Sequence, residues 1–333
     1  MDAAALQQLL ASGDVDALRR MLKHGAAEAE EAVAAPAAAA SSPSSSSIAL
    51  CAAASSQDSA LFAGRKSVKF VVGNAFPVQL CDYRSMGKLV WPAGHAVAEV
   101  FARIPSEAVS SSLAVVEVGA GAGVPSLVAA AVGARVAIAT DFTEECVELL
   151  RHNDALNGRK LTECVRLDVG EHSSLEELLR QHRVTDAVWP HVLVVACDCS
   201  YDPKTVTNLF ASAGQLLVRP MAPSPLVCFA RADMFAHLDE HTVAAARMYG
   251  FDLAARTHHR AAGVLDAVSE TYLTPCAEDA VDCLYFVRAA DAEGARAHNP
   301  VLQLLLRASA ETDDPSVEVV ATSSALEDVW APQ

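Results

Sequence analysis

Nowhere in the 333-residue chain does an apolar run approach the ~18–20 uninterrupted residues of a membrane span. Its start, Met1-Asp2 followed by an amphipathic stretch, lacks the basic n-region and apolar h-region of a secretory signal. The 9 cysteines include no Cys-x-x-Cys, and Cys197-x-Cys199 alone makes no zinc site, so no metal is expected. Reduced, buried thiols point to the cytoplasm, with the nucleus as a second location. Positive charge is also scarce. With 25 Lys and Arg against 41 Asp and Glu the net charge is −16, which argues against a duplex-binding surface, because phosphate neutralisation dominates that affinity. The same charge suits a basic protein or peptide partner. Apolar residues are plentiful at 52%, ample for a sizeable core in one large or two small domains.

A further absence selects the ligand. Residues 113–141 read as an apolar strand (Leu113 to Val118), a glycine turn, an alanine-rich helix with Pro125 early in it, and a second strand, 135–139, ending at Asp141. This is half of a doubly wound nucleotide-binding sheet, in which ligands lie beyond the carboxyl ends of the strands. The dinucleotide fingerprint requires a third glycine where Val124 stands, so that reading fails. The spacing here is Glu-x-Gly-x-Gly-x-Gly, from Glu117 through Gly119 and Gly121 to Gly123. It resembles the first motif of class I S-adenosylmethionine methyltransferases. That cofactor carries an ammonium, a carboxylate and a sulfonium but no phosphate, so an acid beside the loop is useful. Glu117 is expected to place the ammonium, directly or through neighbours, and Asp141 to accept from both ribose hydroxyls.

Four parts are expected along the chain. Residues 1–27 form a short helical segment, in which 13–26 look like half an ankyrin repeat, too little to bury its own face. Residues 28–62 are an Ala/Ser/Pro linker whose composition cannot offset the entropy of ordering. Residues 63–290 make the catalytic domain, opening with a hairpin around Gly73-Asn74, and 291–333 add a helix, Val301 to Leu306, and an acidic tail. Within the domain, Thr143 and Asp202 are candidate N-caps, the latter before Pro203. The third and fourth strands end at Asp168 and Asp198. The fold class is therefore α/β: a seven-stranded, doubly wound, Rossmann-like sheet with an N-terminal β-hairpin extension.

Strand-end acids thus share one rim. Asp168 is positioned for the adenine amino group. Asp198 and Tyr201 are the candidate catalytic pair, because a carboxylate and an aromatic wall can orient the lone pair of a lysine amine, whose ordinary pKa of about 10.4 opposes reaction.

Three segments together resemble the family-16 (methyltransferase-like 21 type) protein-lysine methyltransferases, over roughly residues 68–289. They are Leu-Val-Trp-Pro-Ala-Gly around Trp91, Val-Glu-Val-Gly-Ala-Gly-Ala-Gly-Val-Pro-Ser-Leu at 116–127, and Asp-Cys-Ser-Tyr at 198–201. The resemblance implies cofactor contacts from Trp91, Gly119, Ala120, Gly121, Asp141 and Cys197, with Asp198 and Tyr201 bordering a lysine channel. It departs at Val169, where the family often has tryptophan, which leaves more of the adenine contact to Asp168. It also implies a protein substrate, basic or of chaperone or translation-factor type, acted on by a monomer. Two other readings stay open. A nicotinamide-type small-molecule N-methyltransferase shares the glycine motif, and a binding module that has lost catalysis would keep the fold. A nucleic-acid enzyme would usually show Asn/Asp-Pro-Pro-aromatic, which Asp-Cys-Ser-Tyr does not match.

Overall fold

A computed structural model describes residues 67–72, 76–81, 90–106, 113–170, 174–182, 191–199, 202–218, 225–260, 280–310 and 319–321. The expected helical segment 1–27, the linker 28–62 and Tyr201 lie outside the described residues.

Two strands, β1 (Ser67–Val72) and β2 (Phe76–Cys81), pair antiparallel as the expected hairpin, with Ser67 opposite Cys81. Helix α1 (Pro92–Arg103) then leads into the main sheet. It starts three residues before the expected 95, because Pro92 at the first helical position has its φ preset and no N–H to satisfy.

The sheet is built from β3 (Leu113–Val118), β4 (Val136–Asp141), β5 (Glu163–Arg166), β6 (His191–Cys197), β7 (Leu226–Ala232), β8 (Phe251–Arg260), β9 (Ala280–Arg288) and β10 (Val319–Ala321). Their order is β10-β8-β9-β7-β6-β3-β4-β5. β3 pairs parallel with both β4 and β6, so the chain reverses its direction of winding beside β3. That is the switch point at which ligands bind in such sheets. The seven expected strands are present, with the antiparallel β9 between β7 and β8. One correction concerns the C-terminal tail. Residues 319–321 are not loose but add an eighth, antiparallel edge strand against Arg256 and its neighbours.

The connecting helices are α2 (Val124–Ala131), α3 (Glu144–Leu156), α4 (Ser174–Gln181), α5 (Pro203–Gly214) and α6 (Asp239–Met248). The expected caps form: Thr143 Oγ1 accepts from Cys146 N, and Asp202 Oδ2 accepts from Thr205 N. After β9 come α7 (Ala292–His298) and α8 (Pro300–Ala310), longer together than the single helix expected.

Alternation along the buried strands divides the core into two layers. Val115, Leu193, Val195 and Tyr285 face α1, α2 and α8. Ala114, Val116, Val194, Phe229 and Phe286 face α4, α5 and α6. There Phe210 meets Phe286 edge-on at 5.0 Å between ring centroids. No helix among the described residues is long and apolar enough to cross a membrane.

Candidate cofactor and acceptor site

The site is built on the carboxyl ends of β3, β4, β6 and β7. β3 runs into the glycine turn, where Gly119, Gly121 and Gly123 all have left-handed φ (67°, 53° and 80°). Side chains rarely adopt that region. A Cβ on Gly119 would also stand 2.7 Å from Cys199 Sγ, and one on Gly123 would collide with Leu150. Cys199 and Leu150 therefore pack directly on the turn, where only glycine leaves them room. Ala120 N donates to the Thr140 carbonyl at 2.8 Å, and Asn153 Nδ2 donates to the Ala122 carbonyl at 2.9 Å.

Of the two acids of this half, Asp141 bonds the turn itself and Glu117 bonds the helix that follows it. Asp141 Oδ2 accepts from Gly121 N at 3.1 Å, while Oδ1 accepts from Thr143 N at 3.1 Å. Burial raises the Asp141 carboxyl above its usual range, against the opposing effect of these bonds. Glu117 is almost fully buried, and its Oε2 accepts from both the backbone N (2.9 Å) and the hydroxyl of Ser126, in the first turn of α2. Burial pushes Glu117 up to about 7, although the Ser126 bonds oppose the shift. Glu117 thus meets its neighbour Ser126, the indirect of the two forms expected for its role. Its Oε2 caps the start of α2, where unsatisfied N–H groups and the positive end of the helix dipole favour a carboxylate.

Asp198 follows β6 with φ 50°, and its buried carboxylate accepts from Ala93 N (2.9 Å) and Ala232 N (2.7 Å). The two amides belong to the start of α1 and the end of β7. Trp91 is the N-cap of α1, half-buried against the core, and contributes no side-chain cap. Cys197 lies where Gly94 and Pro125 converge, and burial raises its thiol well above the usual range. Asp168 is exposed and accepts from Gly170 N at 2.8 Å. Val169 is half-buried against the core layer of α4 and α5, a packing position rather than an open wall. Tyr201, the expected partner of Asp198, is outside the described residues, so the structure brings together Trp91, Glu117, the glycines, Asp141, Cys197 and Asp198, with Asp168 on the next loop.

Two features were missed in the sequence. Phe142 directly follows Asp141 and is 53% exposed, unusual for so large an apolar ring. Its carbonyl accepts from Arg166 Nε at 2.9 Å, which ties it to the β5 end. An aromatic residue directly after a strand-end acid was the available signal. The other is Arg231 on β7, 2% exposed. It grips both oxygens of Asp239 (2.5 and 2.7 Å) and reaches Asp282 Oδ2 at 2.6 Å. Arg256 completes the pair with Asp239, and His258 that with Asp282. Although burial opposes it, His258 and the two guanidiniums hold the Asp282 carboxyl below its usual range. No side-chain spacing announces this network, because its members come from three strands and a helix. Among the described residues no cluster of His, Cys, Asp and Glu is arranged to hold a metal.

The residues present fit S-adenosylmethionine. The glycine turn is bonded to a strand-end carboxylate suited to a diol, and the residue after that acid, Phe142, carries an exposed aromatic ring suited to a base. Fold and site together resemble one class, the seven-stranded, class I S-adenosylmethionine-dependent methyltransferases. More narrowly, residues 79–233 match the model of the lysine methyltransferase family, which takes in Trp91, the glycine turn and Asp198. The chain is 42% identical over 72 residues to the protein N-terminal and lysine N-methyltransferase efm7 of Aspergillus fumigatus, a match covering 21% of this chain and 27% of that protein's length. Among solved structures, it resembles the SAM-dependent methyltransferase from Agrobacterium tumefaciens at 18% identity, covering 63% of this chain and 67% of that one, with a TM-score of 0.38. It likewise resembles M. jannaschii TYW2 in complex with AdoMet at 14% identity, 67% and 88% coverage and a TM-score of 0.40. Both superpositions fall below 0.5 and define no closer kinship.

Proposed function

We propose that this chain transfers methyl groups from S-adenosylmethionine to amines of a protein, in the first place the side-chain amine of lysine. The observation that carries the reading is the glycine turn locked between Asp141 and the Glu117–Ser126 pair, within the segment that matches the lysine methyltransferase model. Asp141 would take the ribose hydroxyls, Phe142 would flank the base, and Gly119 to Gly121 with Cys197 would line the methionine part. The bound cofactor supplies an electrophilic methyl on a sulfonium. The free amine would take that methyl, with S-adenosylhomocysteine as the leaving group and the amine's proton passing to solvent. The protein's contribution is alignment and exclusion of water. It must also accept the amine in its free form, against a solution pKa of about 10.4.

The relative's name covers two acceptors, lysine and the N-terminal amine, and one experiment separates them. The full chain is incubated with cell lysate and methyl-labelled S-adenosylmethionine, and labelled protein is hydrolysed to amino acids. Label recovered as N-methyl-lysine is expected. Label at the N-terminal residue would move the assignment to the α-amine. Label confined to the small-molecule fraction would refute a protein substrate.

A further inference from the structure

We infer that Asp198 is a positioning residue, a strut that sets Trp91 on the cofactor rim, and not the group that handles the acceptor amine. The inference rests on the S-adenosylmethionine reading above. Helix α1 has an unusual start. Its N-cap, Trp91, offers no side-chain acceptor, and Pro92 has no N–H. The first donor of the helix is Ala93 N, and its acceptor is Asp198 Oδ2, 105 residues away in the chain. A carboxylate at that end of a helix meets both an unsatisfied N–H and the positive end of the dipole.

The second oxygen holds the other side of the rim. Asp198 Oδ1 accepts from Ala232 N, at the last residue of β7. That end of β7 is itself fixed, because the adjacent Arg231 is clamped to Asp239 and Asp282. The backbone at Asp198 is bent to make this possible. Its φ of 50° is uncommon for a residue with a side chain, and it is kept there by the bond from Asp198 N to the Ala230 carbonyl at 2.9 Å. The turn aims the carboxylate back into the domain, onto the Ala93 and Ala232 amides, where Asp198 is 8% exposed. A link between α1 and β7 fixes where α1 begins, and α1 begins at Trp91, whose carbonyl accepts from His95 N at 3.1 Å. Asp198 therefore acts on the cofactor site through Trp91.

The test measures S-adenosylhomocysteine affinity of the full chain by calorimetry for wild type, Asp198→Asn, Trp91→Ala and the double variant. Asparagine keeps the shape but turns one acceptor into a donor facing an N–H. Asp198→Asn should weaken binding about tenfold. On the Trp91→Ala background its effect should shrink below about threefold, because the two residues form one unit. Lysate labelling should show the loss mainly in KM for the cofactor, with kcat at saturating cofactor falling less than about threefold. Wild-type affinity in Asp198→Asn, additive losses in the double variant, or a loss confined to kcat would each overturn the inference. Should the variant fail to fold, amide exchange in the wild type decides: S-adenosylhomocysteine should slow Ala93 and Ala232 together, and no change in either overturns the strut. Absence of any binding by the wild type would instead remove the cofactor reading itself.

Discussion

Replacing Glu117 by glutamine should stabilise the domain at neutral pH and leave it almost unchanged in acid. Glu117 has its folded pKa raised from 4.5 to about 7, with burial as the main cause. A raised carboxyl favours the folded state fully below its unfolded pKa, and the advantage is lost as pH rises through the folded value. The window is therefore about pH 4.5 to 7, and the loss across it is roughly 3 kcal/mol at 1.36 kcal/mol per pKa unit. In the wild type this slope is masked. His95, buried in α1, is lowered from 6.5 to about 4, by burial first and by Arg103 second. Its contribution is present above 6.5 and lost as pH falls through about 4, again roughly 3 kcal/mol and of opposite sign. Two buried groups thus give opposing slopes over overlapping windows. Glutamine has no charge to desolvate and can still accept from Ser126, so Glu117→Gln removes one slope and exposes the other. Urea unfolding of both proteins at pH 4.5, 6 and 7.5 is the assay. The variant should match wild type within about 1 kcal/mol at pH 4.5 and exceed it by about 2–3 kcal/mol at pH 7.5. A difference that does not change with pH, or a variant weaker at pH 7.5, would refute burial as the dominant influence on Glu117.

Three other outcomes follow from the geometry. Gly123→Ala meets Leu150 in a left-handed conformation and should lower stability by more than about 1 kcal/mol in thermal unfolding. Phe142→Ala removes an exposed ring, so Tm should stay within about 2 °C while S-adenosylhomocysteine binding weakens several-fold in calorimetry. Arg231→Leu leaves Asp239 and Asp282 without their shared cation and should cost about 3–5 kcal/mol in urea unfolding.

The class of fold and ligand was readable before any coordinates. Apolar strands 113–118 and 136–141 are continuous because parallel strands covered on both faces need no polar side. Glycines at alternate positions followed by Pro125 mark a turn and a helix start by local sterics alone, and Thr143 and Asp202 mark the next starts by local hydrogen bonding. Each of these depends on neighbours a few residues apart, which is why sequence carries them. The tail strand 319–321 was not readable, since it is defined only by pairing with β8. The roles of the acids were not readable either. Asp141, Asp168 and Asp198 look alike as strand-end carboxylates, yet one braces the glycine turn, one bonds its own loop, and one joins α1 to β7. The chain by itself determined that these acids line one rim, because strand polarity places every carboxyl end on the same side of a parallel sheet. Only the tertiary structure decided which amides each acid meets, because Ala93 and Ala232 reach Asp198 through the crossing of distant segments and no local spacing encodes that meeting.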